Sequence, residues 1–117
     1  MMGTMASSLV AVEPTTLARF FRVLGDPTRV RLIQALEGGE RSVSELVVEV
    51  GQRQPRVSAH LACLRHCGFV DYRRQGREVI YRLSLGGLRT LIENAAEIMV
   101  PLSERLATCS RIGPDWT

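Results

Sequence analysis

The sequence predicts a mainly α-helical domain with one small β-hairpin, a winged helix-turn-helix, and three observations carry that expectation. Residues 42–67 read as helix, glycine-containing turn, helix. Directly after Gly68 the apolar period drops to two, over two runs separated by an arginine-rich turn. Outside this unit, apolar stripes at helical spacing recur towards both ends of the chain.

Residues 1–13 have few charges and no amphipathic period, which predicts a flexible N-terminal arm. Pro14, Thr15 and Thr16 start a first helix, with Leu17, Phe20, Phe21 and Leu24 on one side and Gly25 at its end. Asp26 is placed to cap a second helix, with Pro27 in its first turn and Gly38-Gly39 as its stop. Ser42 and Glu45 have the spacing of a capping box and open a third helix, buried through Leu46, Val47 and Val50 and stopped by Gly51. Pro55 suits the first turn of a fourth helix, which runs to about Cys67 with Gly68 as its stop. Strands follow at Phe69–Arg73 and Glu78–Leu83, joined by Arg74-Gln75-Gly76-Arg77 as the tip of a wing. From about Leu85 to Val100 the helical period returns through Leu88, Leu91, Ile92, Ala95 and Met99, and Pro101 ends or kinks that helix. Leu102 and Leu106 extend an apolar stripe beyond it.

The expected organisation is one winged helix-turn-helix domain over residues 14–109, with dimerisation helices at 14–25 and 85–109, and a C-terminal tail at 110–117. The stripes on the first and last helices are spare, because the helix-turn-helix and wing already close a small core. Pairing them with a second copy gives a symmetric homodimer, which presents two reading helices to two half-sites.

The 117 residues suffice for one domain, and 45% apolar against 23% charged residues is a globular balance. No apolar run is long enough to span a bilayer, and no basic residue precedes Arg19, so neither a membrane span nor a secretory signal is expected. Three cysteines without a signal argue against a secreted disulfide scaffold and for thiol or metal chemistry in the cytoplasm. No acid–base or nucleophile constellation of an enzyme is evident.

All 15 basic residues are Arg, against 12 acids, for a net charge of +3. Their distribution is uneven. Residues 51–82 carry seven Arg against Asp71 and Glu78, whereas the flanking segments are slightly acidic. A basic segment covering the fourth helix and the wing is the footprint expected of a polyanion-binding face, although a solvated charged surface has the same composition. At about 100° per residue, Val57, Leu61 and Leu64 form the core side of the fourth helix. Gln54, Arg56 and Ser58 lie in its first turns and are the candidate readers of base edges, with small residues such as Ser58, Ala59 and Ala62 letting the helix approach closely. Arg65, farther along the helix, and Arg73, Arg74 and Arg77 on the wing are the candidates for the remaining DNA contacts, with phosphate or in the minor groove.

Cys63 and Cys67 are four apart on that helix, beside His60 and Arg56. Two such thiols can share a metal ion, or can serve as small apolar residues at a helix edge. A disulfide between them is disfavoured, because the helix holds their Cβ atoms too far apart. Cys109 lies in a polar C-terminal segment. Three thiolates without an obvious fourth ligand favour a soft ion.

Four stretches together resemble the ArsR/SmtB family of metal-responsive repressors. They are Leu24-Gly25-Asp26-Pro27-Thr28-Arg29, Gln54-Pro55-Arg56-Val57-Ser58-Ala59-His60-Leu61, Leu64-Arg65-x-x-Gly68-Phe69-Val70 and the wing Arg74-Gln75-Gly76-Arg77-x-Val79-x-Tyr81. The resemblance covers about residues 15–100. It implies a repressor that holds operator DNA when metal-free and releases it on binding metal. The arsenic-type site would place cysteines in the third helix, and Ser42–Val48 has none. The zinc-type site would place Asp and His on the last helix, and that helix has Glu93 and Glu97 but no His. The segment His60–Gly68 is instead similar to the cadmium/lead-sensing CmtR type, in which a cysteine pair on the recognition helix is joined by one from the C-terminal tail. Cys63, Cys67 and Cys109 match that pattern, and Pro101 before Cys109 departs from it. The implied effector is Cd(II), Pb(II) or, as in a mercury-responsive relative, Hg(II). The implied partners are operator DNA and a second copy, with no membrane and no protein substrate. A thiol redox switch pairing Cys109 with Cys63 or Cys67 on the same scaffold is the alternative.

Overall fold

Three side-chain caps set the starts of the first three helices. The structure, a computed structural model, describes residues 12–112. Helix α1 (Pro14–Val23) begins where Glu13 accepts from the Thr16 backbone N–H at 2.7 Å. Helix α2 (Pro27–Glu37) begins where Asp26 Oδ1 accepts from the backbone N–H groups of Thr28 and Arg29, at 2.8 and 3.2 Å. Strand β1 (Arg41–Ser42) leads into helix α3 (Val43–Val50), and the capping box closes reciprocally: Glu45 N–H donates to Ser42 Oγ, and Ser42 N–H to Glu45 Oε1. Each cap satisfies N–H groups that the first helical turn leaves without a partner.

Helix α4 (Gln54–His66) ends in a left-handed glycine, Gly68 at φ +86°. Phe69 N–H returns to the Leu64 carbonyl and Gly68 N–H to that of Arg65, so the chain leaves the helix by a double-bonded C-terminal turn with Phe69 against the core. Strands β2 (Val70–Gln75) and β3 (Glu78–Leu83) follow as an antiparallel hairpin, in register from Val70↔Leu83 to Gln75↔Glu78. Its loop is the two residues Gly76-Arg77, with Gly76 at φ +64°, which is tighter than the four-residue turn expected from the sequence.

The sheet has the order β1-β3-β2, because Arg41 and Ser42 pair with Tyr81 and Ile80. The sequence reading has no counterpart to β1. A two-residue strand carries no period of its own and exists only through its partner.

Helix α5 (Leu88–Met99) starts later than the expected Leu85, after Gly87 at φ +87°. The chain then turns through a 3₁₀ segment at Pro101 (Val100–Leu102), helix α6 (Ser103–Thr108) and a last 3₁₀ turn, Ser110–Ile112. Of the expected arm, residues 1–11 lie outside the described residues, and so do residues 113–117 of the expected tail.

The core lies between α2, α3, α4 and the base of the hairpin. Leu32, Ile33, Leu46, Val57, Leu61 and Leu64 are fully buried, and the side of α4 marked out by its apolar spacing faces inward as expected. Phe20 of α1 packs on Phe69, ring centroids 5.2 Å apart. Beyond this core, α1 and α5 leave an apolar groove of about 420 Å³ between Phe21, Leu24, Val30, Leu91, Ile92 and Met99. Leu17, Phe21, Ile98 and Met99 remain exposed on these helices.

Candidate nucleic-acid interface and thiol pair

Packing Val57, Leu61 and Leu64 inward turns the rest of α4 to solvent. Gln54, Arg56, Ser58 and Ala59 are all exposed in its first turns. Gln54 and Ser58 face the wing across a polar groove of about 290 Å³, whose other walls are Ser42, Val43 and Ser44 at the start of α3, and Arg77, Glu78, Val79 and Tyr81 of the hairpin. Ser44 was not among the residues picked from the sequence. Its place at the mouth of this groove follows from the capping box, which fixes where α3 starts relative to α4. Arg56 stands on a neighbouring stripe of α4, and its charge acts on His60.

The wing arginines divide by strand alternation. Tyr72 and Arg74 lie on the hairpin face that carries buried Val70, whereas Arg73 lies on the opposite face. There Arg73 is bound to Glu40, with Nη2–Oε1 at 2.8 Å, and also donates to Gln75. Arg65 stacks over the Tyr72 ring, its Cζ 4.8 Å from the centroid. Arg74 and Arg77 are exposed and lie at the wing tip. The structure thus groups Gln54, Ser58 and Arg77 around one groove and gives Arg65 and Arg73 partners within the chain.

On the next face of α4, His60 is held at the α1–α2 junction. Arg29 Nη1 donates to His60 Nδ1 at 3.3 Å, and Asp26 Oδ1 lies 3.7 Å from His60 Nε2. An arginine can only donate, so Nδ1 carries the lone pair and Nε2 the proton. Burial lowers the pKa of His60, with Arg29 and Arg56 adding to the effect against Asp26. Arg29 also donates to the carbonyls of Val23 and Arg22 at the end of α1.

Cys63, Cys67 and Cys109 are free thiols. Cys63 is half-buried and Cys67 exposed at the end of α4. The Cys67 thiol is pushed above its ordinary value by desolvation, and then by the charge and hydrogen bond of the adjacent Cys63 sulfur, with Arg29 opposing. Cys109, half-buried just after α6, does not join them. Among the described residues, no three His, Cys, Asp or Glu side chains of a single chain come together as a metal site. Two soft donors side by side fit a thiophilic ion.

Residues 26–72 match the family model described as bacterial regulatory protein, arsR family. A probable mercury resistance operon repressor of Streptomyces lividans is 40% identical over 111 residues, which is 94% of this chain and 89% of that protein. The HTH-type transcriptional regulator CmtR of Mycobacterium tuberculosis is 36% identical over 89 residues, 76% of this chain and 75% of that one. Among solved structures, the homodimeric winged helix-turn-helix DNA-binding domain of a possible ArsR-family regulator from Mycobacterium bovis superposes with a TM-score of 0.60 at 29% identity, covering 77% of this chain and 81% of that chain.

Proposed function

Because this chain belongs to the arsR family of bacterial regulatory proteins, whose members here are transcriptional regulators and not enzymes, we propose that it is a repressor that leaves its operator when it binds a soft heavy-metal ion, Cd(II), Pb(II) or Hg(II). The observation that carries this reading is the position of the thiol pair. Cys63 and Cys67 ride the same helix whose first turns carry Gln54, Arg56, Ser58 and Ala59. A force applied at one end of α4 therefore acts on the base-reading end.

Operator recognition in this reading uses Gln54, Arg56, Ser58 and Ala59 on base edges, with Arg74 and Arg77 on phosphate or in the minor groove. The protein acts as a homodimer through α1 and α5. Their exposed Leu17, Phe21, Ile98 and Met99 and the groove between them support this, as does the homodimeric state of the mycobacterial relative.

Metal, when bound, supplies a bond to each deprotonated thiol. Cys63 and Cys67 are two donors, and we assign the third to Cys109 of the second copy. In one chain the pair has no third partner among the described residues, and pairing through α1 and α5 brings two C-terminal segments to each dimer. Closing that link ties α4 of one subunit to the tail of the other. A coupling of about 1–3 kcal/mol suffices for a 5- to 150-fold loss of operator affinity. The redox alternative uses the same three thiols, pairing Cys109 with Cys63 or Cys67, and the test below separates it from metal sensing.

The test is titration of the reduced protein with Cd(II), Pb(II), Hg(II) and Zn(II) while operator binding is followed. The reading expects release by at least one of the three soft ions at concentrations where Zn(II) has no effect. Release by oxidant alone, reversed by reductant and indifferent to metal, would favour the redox switch.

A further inference from the structure

The wing must reach DNA at a fixed angle to the reading helix, yet only its base is anchored in the core. Val70 is buried and Tyr81 and Leu83 of β3 pack on the core, but β2 beyond Tyr72 is exposed. A two-stranded ribbon by itself is marginally stable and free to twist. Strand β1 holds one edge, pairing Arg41 with Tyr81. The other edge meets α4 through aromatic rings. Tyr72 and Tyr81 are register partners across the hairpin and stack with centroids 5.6 Å apart and planes 24° apart. The Arg65 guanidinium lies over Tyr72. Its charge also opposes the rise that burial gives the Tyr81 pKa, as expected of a cation sitting against the base of the wing.

We propose that Arg65, Tyr72 and Tyr81 form a brace that sets the wing at its working angle to α4, so that Arg65 is a positioning residue for operator binding and not a DNA contact. The brace acts on Arg74 in particular. Arg74 lies two residues beyond Tyr72 on the same face of β2, so a rotation of the Tyr72 ring row swings Arg74 with it. A guanidinium over an aromatic face is directional enough to hold that angle.

The inference rests on the DNA-binding reading, which the unmodified protein tests by itself: failure to bind any operator removes both. The brace is tested with a double-mutant cycle on operator affinity. Tyr72→Ala is expected to weaken binding roughly fivefold, as suits the loss of one cation–π contact. In that background Arg74→Ala should cost far less than it does in the unmodified chain, because the wing is already mispositioned. Tyr72→Phe keeps the ring and should restore both the affinity and the full cost of Arg74→Ala. Arg65→Gln, at an exposed position, covers the case in which Tyr72→Ala does not fold. It should reproduce the loss of coupling to Arg74, and Arg65→Gln combined with Arg74→Ala should have the same salt slope as Arg74→Ala alone. Equal costs of Arg74→Ala in the braced and unbraced chains would overturn the proposal. So would a double variant, Arg65→Gln with Arg74→Ala, whose salt slope falls by about one phosphate contact below that of Arg74→Ala, since that is the signature of a direct Arg65 contact.

Discussion

Arg29 donates a hydrogen bond from Nη1 to Nδ1 of His60, 3.3 Å away, and so fastens the reading helix to the junction of α1 and α2. The same guanidinium holds the carbonyls of Arg22 and Val23 at the end of α1, where the Arg22 carbonyl also accepts from the Gly25 N–H. One side chain therefore joins the proposed reading helix to a helix of the proposed dimer seam.

This contact needs a neutral imidazole, and burial holds the His60 pKa below its ordinary value. A histidine lowered in the folded state contributes stability that is complete above the unfolded value of about 6.5 and is lost as pH falls towards the folded one. The unfolding midpoint should therefore decline from about pH 7.5 to about pH 5.5, and His60→Gln should flatten part of that decline. Asp26, whose pKa is also lowered, acts only below the ordinary carboxylate range. Identical pH slopes for both proteins in urea denaturation would show that His60 carries none of the effect.

Asp26 caps α2 through two backbone N–H groups and is itself buried. Asp26→Ala should cost about 1–2 kcal/mol of stability. Asp26→Asn, which keeps an accepting oxygen, should recover most of it. Chemical denaturation of the three proteins measures both effects.

Phe21 is half exposed in the single chain, at the rim of the groove between α1 and α5. Phe21→Glu leaves the core of one chain intact but would bury an unpaired carboxylate in the proposed dimer seam. The expected result is a folded monomer with weakened operator binding. Sedimentation that shows the variant still dimeric at the concentration of the unmodified protein would move the seam elsewhere.

Gln54→Ala and Arg56→Ala, in the first turns of α4, should each reduce operator affinity and relax base preference, by about 1–3 kcal/mol for a lost base contact. Arg74→Ala should weaken all sequences alike and lower the salt slope by about one. Competition binding with operator variants at two salt concentrations separates these patterns.

What the sequence reveals about this fold is whatever its local chemistry expresses. The Asp26 and Ser42 caps, the Val57-Leu61-Leu64 core side and the glycines at 51, 68 and 76 act within a few residues of chain, and all appear where expected. Partnerships between distant residues were not readable. Strand β1 is two residues long and exists only against β3. Arg65 and Arg73 add to the basic segment like any other arginine, but Tyr72 and Glu40 engage them in the fold. The spacing between Cys67 and Cys109 likewise carries no geometry, and in the single chain the two are not gathered into one site.

The proposed metal response turns on that third cysteine. The most direct measurement is operator release by Cd(II), Pb(II) and Hg(II) from Cys109→Ser beside the unmodified protein, both fully reduced. Cys109 lies outside α4 and outside the groove proposed to face DNA, so metal-free operator affinity should be unchanged. Release should then require at least about tenfold more metal or be lost, in line with the coupling expected of one tether. Release of the operator by Cys109→Ser at the same metal concentrations as the unmodified protein would contradict the three-thiolate site.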